Sequence, residues 1–194
     1  VRCAHPLGSP SLRWCGRCLY LQALDGVRSP FLLEGPVRRA VHALKYRGVW
    51  AVGEVLGEVM APVVPSLPVR PHVVVPVPLH PRRLRERGYN QASVLARAVA
   101  RGCGLPLEEG LLVRRRAGVP LARLPSAARR QEVVRDAFLC PYGGLHGVAV
   151  LLVDDVCTSG ATLDACAVAL KGAGAGPVWG LTLAREPLGP WGRG

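Results

Sequence analysis

The chain has 194 residues and a formal charge of +12, with 25 Lys or Arg against 13 Asp or Glu. That length supports one main domain plus a small appendage, and no window reaches the roughly 18 consecutive apolar residues of a membrane span, so no membrane span and a soluble protein are expected. Seven cysteines, several inside apolar patterns as Cys103 and Cys166 are, argue against a disulfide framework.

In chain order, residues 1–30 hold Cys3, Cys15 and Cys18 among Gly, Ser and Pro with little periodicity. They read as a small irregular module, separated near Pro30 from a main domain over residues 31–194. Residues 1–10 show no apolar h-region, so cytoplasm is the expected compartment. Val37, Ala40, Val41 and Leu44 come after Pro36 at helical spacing and predict a helix ending near "KYRG". Val52, Val55, Leu56, Val59 and Met60 predict a second helix stopped by Pro62, with a proline-rich connector next, over residues 62–71. Residues 73–75 read as a buried strand that Pro76 and Pro78 close and that runs into a basic loop. Val94, Leu95, Ala98 and Val99 mark a helix ended by Gly102 and Gly104, and residues 111–113 a further strand. The arginine-rich segment 114–136 has no sustained apolar face and reads as a mobile basic loop and then a short helix. A strand over 148–153, a helix over 162–171 and a last strand over 178–183 complete the pattern. Strands alternating with helices predict a mostly parallel sheet with helices on both faces, an α/β fold.

The informative stretch is "VDDVCTSGAT", residues 153–162. An apolar strand in a parallel sheet delivers the residues after it to the carboxyl edge, where open α/β folds bind ligands. Thr158, Ser159, Gly160, Ala161 and Thr162 are small, expose successive backbone N–H groups and precede a helix, which makes a phosphate cradle. Asp154 and Asp155 beside it would repel a bare phosphate but suit the hydroxyls of a sugar and a Mg²⁺ ion. A sugar phosphate is the economical ligand. The excess charge, nearly all arginine since Lys45 and Lys171 are the only lysines, fits a phosphorylated metabolite, nucleic acid or arginine-rich codon usage alike.

"VLLVDDVCTSGAT" resembles the phosphoribosyl pyrophosphate (PRPP) motif of type I phosphoribosyltransferases. "LKYRG", "VPVPLHPRRLRERGYNQA" and the late "LAR" narrow the resemblance to ComF-like proteins, a competence family described as amidophosphoribosyltransferase-like. The resemblance implies a phosphoribosyltransferase-like domain acting on PRPP with Mg²⁺. Asp154 and Asp155 would bind the ribose, residues 158–162 the 5-phosphate, and a pyrophosphate loop of Pro78, Leu79, His80, Arg82 and Arg83 the leaving group. It also implies a flexible loop that includes Arg115, Arg116 and Arg123 and closes over the substrate. Thr158 stands where 6-oxopurine transferases carry an Asp, which disfavours hypoxanthine and guanine as acceptors. The family's amino-terminal cysteines imply a zinc-ribbon-like module for a structural Zn²⁺; Cys15-x-x-Cys18 supplies half a tetrahedral site and Cys3 a third ligand, the fourth being His5 or a group from outside this chain. Two functions from different classes fit: transfer of phosphoribosyl to an unidentified acceptor, or a non-catalytic PRPP- or nucleotide-binding protein that engages single-stranded DNA with the competence machinery.

Overall fold

The computed structural model describes residues 21–46, 48–115 and 137–187. Its centre is a parallel sheet in the order β1 (Gly26–Arg28), β7 (Val178–Arg185), β6 (Val150–Cys157), β3 (Val73–Pro76), with β2 (Phe31–Leu32) pairing further along β7. The inner strands β6 and β7 run eight residues each, in register from Val150 opposite Val178 to Cys157 opposite Arg185. Buried on both faces, they read as nearly continuous apolar runs, as interior parallel strands do.

Side chains alternate across these strands, so each face has its own core. Val75, Val150 and Leu152 point to the face covered by α5 (Ala161–Gly172) through Leu163, Cys166 and Leu170. Val74, Leu151, Val153, Leu181 and Leu183 point to the other, against α1 (Gly35–Tyr46), α2 (Trp50–Met60) and α4 (Gln91–Cys103) through Val41, Leu44, Met60, Leu95 and Val99. Full burial of each aliphatic side chain is worth about 1.5–3 kcal/mol. Gly53 and Gly57 let α2 lie close on α4: a Cβ at Gly57 would stand 2.5 Å from that of Ala98.

Several boundaries differ from the sequence reading. Residues 21–30, expected in the amino-terminal module, belong to the sheet domain: Leu21, Leu24 and Val27 are buried in the core and β1 pairs with β7. Asp25 accepts a hydrogen bond from the Val178 amide and an ion pair from Lys171, each contact under 3 Å, which ties this segment to both ends of the α5–β7 connection. The zinc-ribbon-like module, with Cys3, His5, Cys15 and Cys18, lies outside the described residues. Helix α2 ends at Met60, just ahead of Pro62, but the expected connector begins as a 3-10 turn over Ala61–Ser66, in whose first turn Pro62 sits, where no donor is needed. The basic loop after β3 is a short helix, α3 (Pro81–Arg87), started by Pro81 and ended by Gly88 in the left-handed region. The strand expected at 111–113 is β4 (Val113–Arg114), which pairs antiparallel with β5 (Phe138–Leu139) in a separate small sheet. Strand β6 continues four residues past Val153, carrying the acid pair within it.

Candidate active site

The segments leaving the carboxyl ends of β3 and β6 line a cavity of about 600 Å³, which α1 closes with Arg38, Val41, His42, Lys45 and Tyr46. A larger cavity of about 770 Å³ lies between the 3-10 turn and the end of α4, lined mainly by apolar groups such as Val64, Leu67 and Leu105. The titratable groups gather in the smaller one.

Strand alternation sends the two carboxylates to opposite faces. Asp155 continues the side of Leu151 and Val153 toward α1, where its Oδ1 lies 2.9 Å from Lys45 Nζ. It is 6% exposed. Asp154 continues the side of Val150 and Leu152, half-buried, with Arg114 acting on it and its own charge helping burial to push the Cys166 thiol up. Its Oδ1 accepts the Asp155 amide at 2.8 Å. Burial, reinforced by the adjacent Asp155 charge, pushes the Asp154 carboxyl up to about 7 against the opposing pull of Lys45 and Arg114. The two acids, given one role by the sequence reading, are therefore unlike although both line the cavity: Asp155 is ion-paired and enclosed, and Asp154 is half-buried with its proton held near neutrality.

Beyond β6 the chain turns through residues 158–160 into α5. Gly160 stands at φ 85°, in the left-handed region, as the residue before the helix, and has no side chain with which to cap it. A Cβ at Gly160 would meet Leu21 at 2.9 Å, so the position requires glycine on two counts. Thr158 and Thr162 line the cavity, whereas Ser159 and Ala161 are buried, the Ser159 hydroxyl accepting the Ala161 amide.

On the facing wall, Pro78, Leu79 and Arg83 line the cavity. His80 instead starts α3, its Nδ1 accepting the Arg82 amide at 3.2 Å. Arg82 turns outward to Glu86, with Nε 2.9 Å from the carboxylate. Arg115 is exposed and its amide donates to Ala137; Arg116 and Arg123 lie outside the described residues. Arg114, its neighbour on β4, does reach the cavity, 5.2 Å above the Phe138 ring, and burial together with the Arg83 charge pulls its pKa down. Below the loop, Arg185 is 1% exposed, donates from Nη1 to Cys157 Sγ, and leaves Nε and Nη2 without a hydrogen-bond partner among the described residues.

No protein-family model matches the chain. Curated relatives do: the DNA utilization protein YhgH of Salmonella typhi is 33% identical over 192 residues, 92% of this chain and 81% of that protein. The chain belongs to the YhgH and ComF family. YhgH of Salmonella typhimurium is 32% identical over 193 residues, and competence protein F of Haemophilus influenzae is 33% identical over 123 residues, 59% of this chain and 51% of that one. Among solved structures, this ComF-family chain is similar to the glutamine PRPP amidotransferase of B. subtilis complexed with ADP and GMP, with 25% identity, TM-score 0.45, and coverage of 67% of this chain and 26% of the enzyme. The adenine phosphoribosyltransferase of Leishmania tarentolae is similar at 13% identity and TM-score 0.41, over 68% of this chain and 56% of that one.

Sequence reasoning gave no role to Lys45, Arg38, His42 or Glu186 of this ComF-family member, all of which line the cavity. A signal existed for one of them: Lys45 is a lysine in a chain that otherwise almost always uses arginine, and it stands in the quoted "LKYRG". For the others only the approach of α1 to the sheet edge reveals the site. Among the described residues no cluster of three or more His, Cys, Asp or Glu forms a ready-made metal site, and no helix is long and apolar enough to cross a membrane.

Proposed function

We propose that the cavity binds PRPP or a related phosphorylated ribose, and that the protein transfers the phosphoribosyl group to an acceptor with release of pyrophosphate, in a role connected with competence and DNA utilization. The observation that carries this reading is the position of Asp154 between two anion-favouring walls, the amino end of α5 on one side and Arg83 with Arg114 on the other. A 5-phosphate suits the backbone N–H groups at Thr158 to Thr162 and the helix dipole behind them. A ribose diol suits the Asp154 carboxylate, which accepts without donating once ionised. A departing pyrophosphate suits Arg83 and Arg114, whose guanidinium groups bind phosphate oxygens in forked pairs.

Mg²⁺ bound with the substrate would supply charge neutralisation at the pyrophosphate. The donor set fits, because Mg²⁺ takes one or two carboxylates plus substrate oxygens and Asp154 is the acid of the pair not engaged by a lysine. In the reaction the bond from C1 to the pyrophosphate oxygen breaks, its electron pair leaving with pyrophosphate, and a lone pair of the acceptor forms the new bond at C1. What the chain contributes is positioning and fixed charge around a sugar that becomes cationic.

A second reading keeps the binding and drops the transfer, with single-stranded DNA as the partner. The net charge of +12 and the names of the relatives favour it. Pyrophosphate release, measured with PRPP, Mg²⁺ and a panel of amines and bases, separates the two: turnover with any acceptor supports transfer, and PRPP binding without turnover supports the second reading. Asp154→Asn is expected to weaken PRPP binding at least tenfold by calorimetry while the fold persists. Unchanged affinity would remove the cavity from consideration.

A further inference from the structure

Gln91 is the first residue of α4, a helix that Asn90 caps by accepting the Ala92 amide at 3.1 Å. Asn90 Nδ2 also donates to the Val77 carbonyl at 3.0 Å, which ties the start of α4 to the root of the segment carrying Pro78 and Leu79. Gln91 lines the cavity together with Val77, Asn90 and Arg87. It is 2% exposed, and a primary amide is rarely enclosed to that degree.

Arg87 fixes which end of that amide is engaged. Its Nη1 donates to Gln91 Oε1 at 3.0 Å, and a guanidinium carries donors only, so the oxygen end must meet it. The NH₂ end is left over: Gln91 Nε2 is buried and has no hydrogen-bond partner among the described residues. Turning the amide over would set donor against donor. Arg87 is also held in place, its guanidinium carbon 5.3 Å from the centre of the Tyr46 ring. A buried donor without an acceptor is a standing cost to the fold, of the kind that persists at sites completed by a ligand. Enclosed from bulk water, this donor is met by an atom that comes through the cavity, with a shift of the side chain toward it.

Arg83 and Arg87 stand four residues apart on α3, hence on one face, and both line the cavity. Gln91 continues that cationic wall from α3 onto α4, so the acceptor suited to it is an anionic oxygen. We propose that Gln91 is a ligand-binding residue whose Nε2 donates to an oxygen at the pyrophosphate end of the substrate. This rests on the phosphoribosyl reading for the identity of that oxygen, while the orientation of the amide is a property of the ligand-free protein.

The test uses Gln91→Met, which keeps the length of the side chain and removes its donor, with three probes: inorganic pyrophosphate with Mg²⁺, PRPP with Mg²⁺, and ribose 5-phosphate. By calorimetry Gln91→Met should bind pyrophosphate and PRPP about tenfold more weakly than the parent, the loss expected of a hydrogen bond to a charged group, and ribose 5-phosphate equally well. Its melting temperature without ligand should equal or exceed that of the parent, since removal of an unmet donor relieves its cost, whereas loss of an amide that served the fold alone would lower it. The parent protein supplies an independent readout should Gln91→Met fail to fold: the two side-chain amide protons of Gln91, followed by nitrogen-edited NMR. Pyrophosphate with Mg²⁺ should shift them, and ribose 5-phosphate should leave both in place. Undiminished pyrophosphate affinity in Gln91→Met, amide signals unmoved by pyrophosphate, or signals moved by ribose 5-phosphate instead each overturn the inference. A parent protein that binds none of the probes removes the phosphoribosyl reading itself, and the pyrophosphate oxygen with it, whereas binding that ignores Gln91 removes only the role of that residue.

Discussion

At Asp154 the carboxyl titrates near 7 in the folded chain, lifted by burial and by Asp155, whereas an unfolded chain releases that proton near about 4. Between those values the native state holds more proton than the unfolded one, so stability falls as pH rises from about 4 to 7 and then levels. Binding runs the other way, since the ionised carboxylate is the form that accepts from hydroxyls or meets a cation. PRPP affinity should therefore rise through about pH 7 while the melting temperature does not rise over the same span, and calorimetry beside thermal scans at pH 5.5, 7 and 8.5 checks both slopes. Asp154→Asn should melt no lower than the parent at pH 8.5 even as it loses ligand, a trade common at functional sites. Arg185 presents a similar tension. Its Nε and Nη2 are buried without partners among the described residues, and each such group costs about 1–3 kcal/mol. Arg185→Met is accordingly expected to unfold within about 1 kcal/mol of the parent or above it in urea titration.

At the scale of elements, the segment before β1 and helix α5 are joined by Asp164, whose Oδ1 accepts the amides of Ala23 and Leu24, each at 2.9 Å. Asp164 is 5% exposed, so its loss leaves two amides to find new partners. Asp164→Ala should cost about 2–6 kcal/mol, from two unsatisfied donors at about 1–3 each, read by chemical denaturation. The same contact region holds Leu21 against Gly160. Gly160→Ala combines a left-handed backbone, worth about 1–2 kcal/mol, with a clash against Leu21. It is expected to lower stability and to weaken binding of ribose 5-phosphate together, whereas a purely local loop effect would leave the melting temperature unchanged. The boundary near Pro30 was illegible for a related reason: β1 is three residues long and β2 two, too short for period-two patterning to register, and their membership in the sheet depends on β7 lying alongside.

For the whole molecule, the described arginines at the cavity, Arg38, Arg83, Arg87 and Arg114, stand at the carboxyl edge of the sheet. A polyanion and PRPP would then meet the same charge. A labelled single-stranded oligonucleotide should be displaced by PRPP with Mg²⁺ and weaken steeply with salt, as release of counterions requires; fluorescence anisotropy that stays unchanged at saturating PRPP would favour the separate DNA-binding reading. Because the sheet is enclosed on both faces, its stability is shared between two cores, and Leu151→Ala, fully buried between β6 and α4, should cost about 2–5 kcal/mol without altering the cavity.

By itself the sequence determined the order of the main-sheet strands and long helices from Pro36 onward, though not α3 or β5, together with the parallel character of the sheet and the small-residue turn between β6 and α5, because apolar period, proline, glycine and the acid pair are local signals. It also singled out "PLHPRR", part of which lines the cavity, although it did not separate Arg83, which does so, from Arg82, which pairs with Glu86. Only the tertiary structure decided that separation, since a helix of seven residues turns successive side chains by about 100° each. It likewise decided that Asp154 and Asp155 differ. The acids are neighbours in sequence, but a strand faces them oppositely, and the cation that distinguishes them arrives from α1, which folding alone brings to the sheet edge.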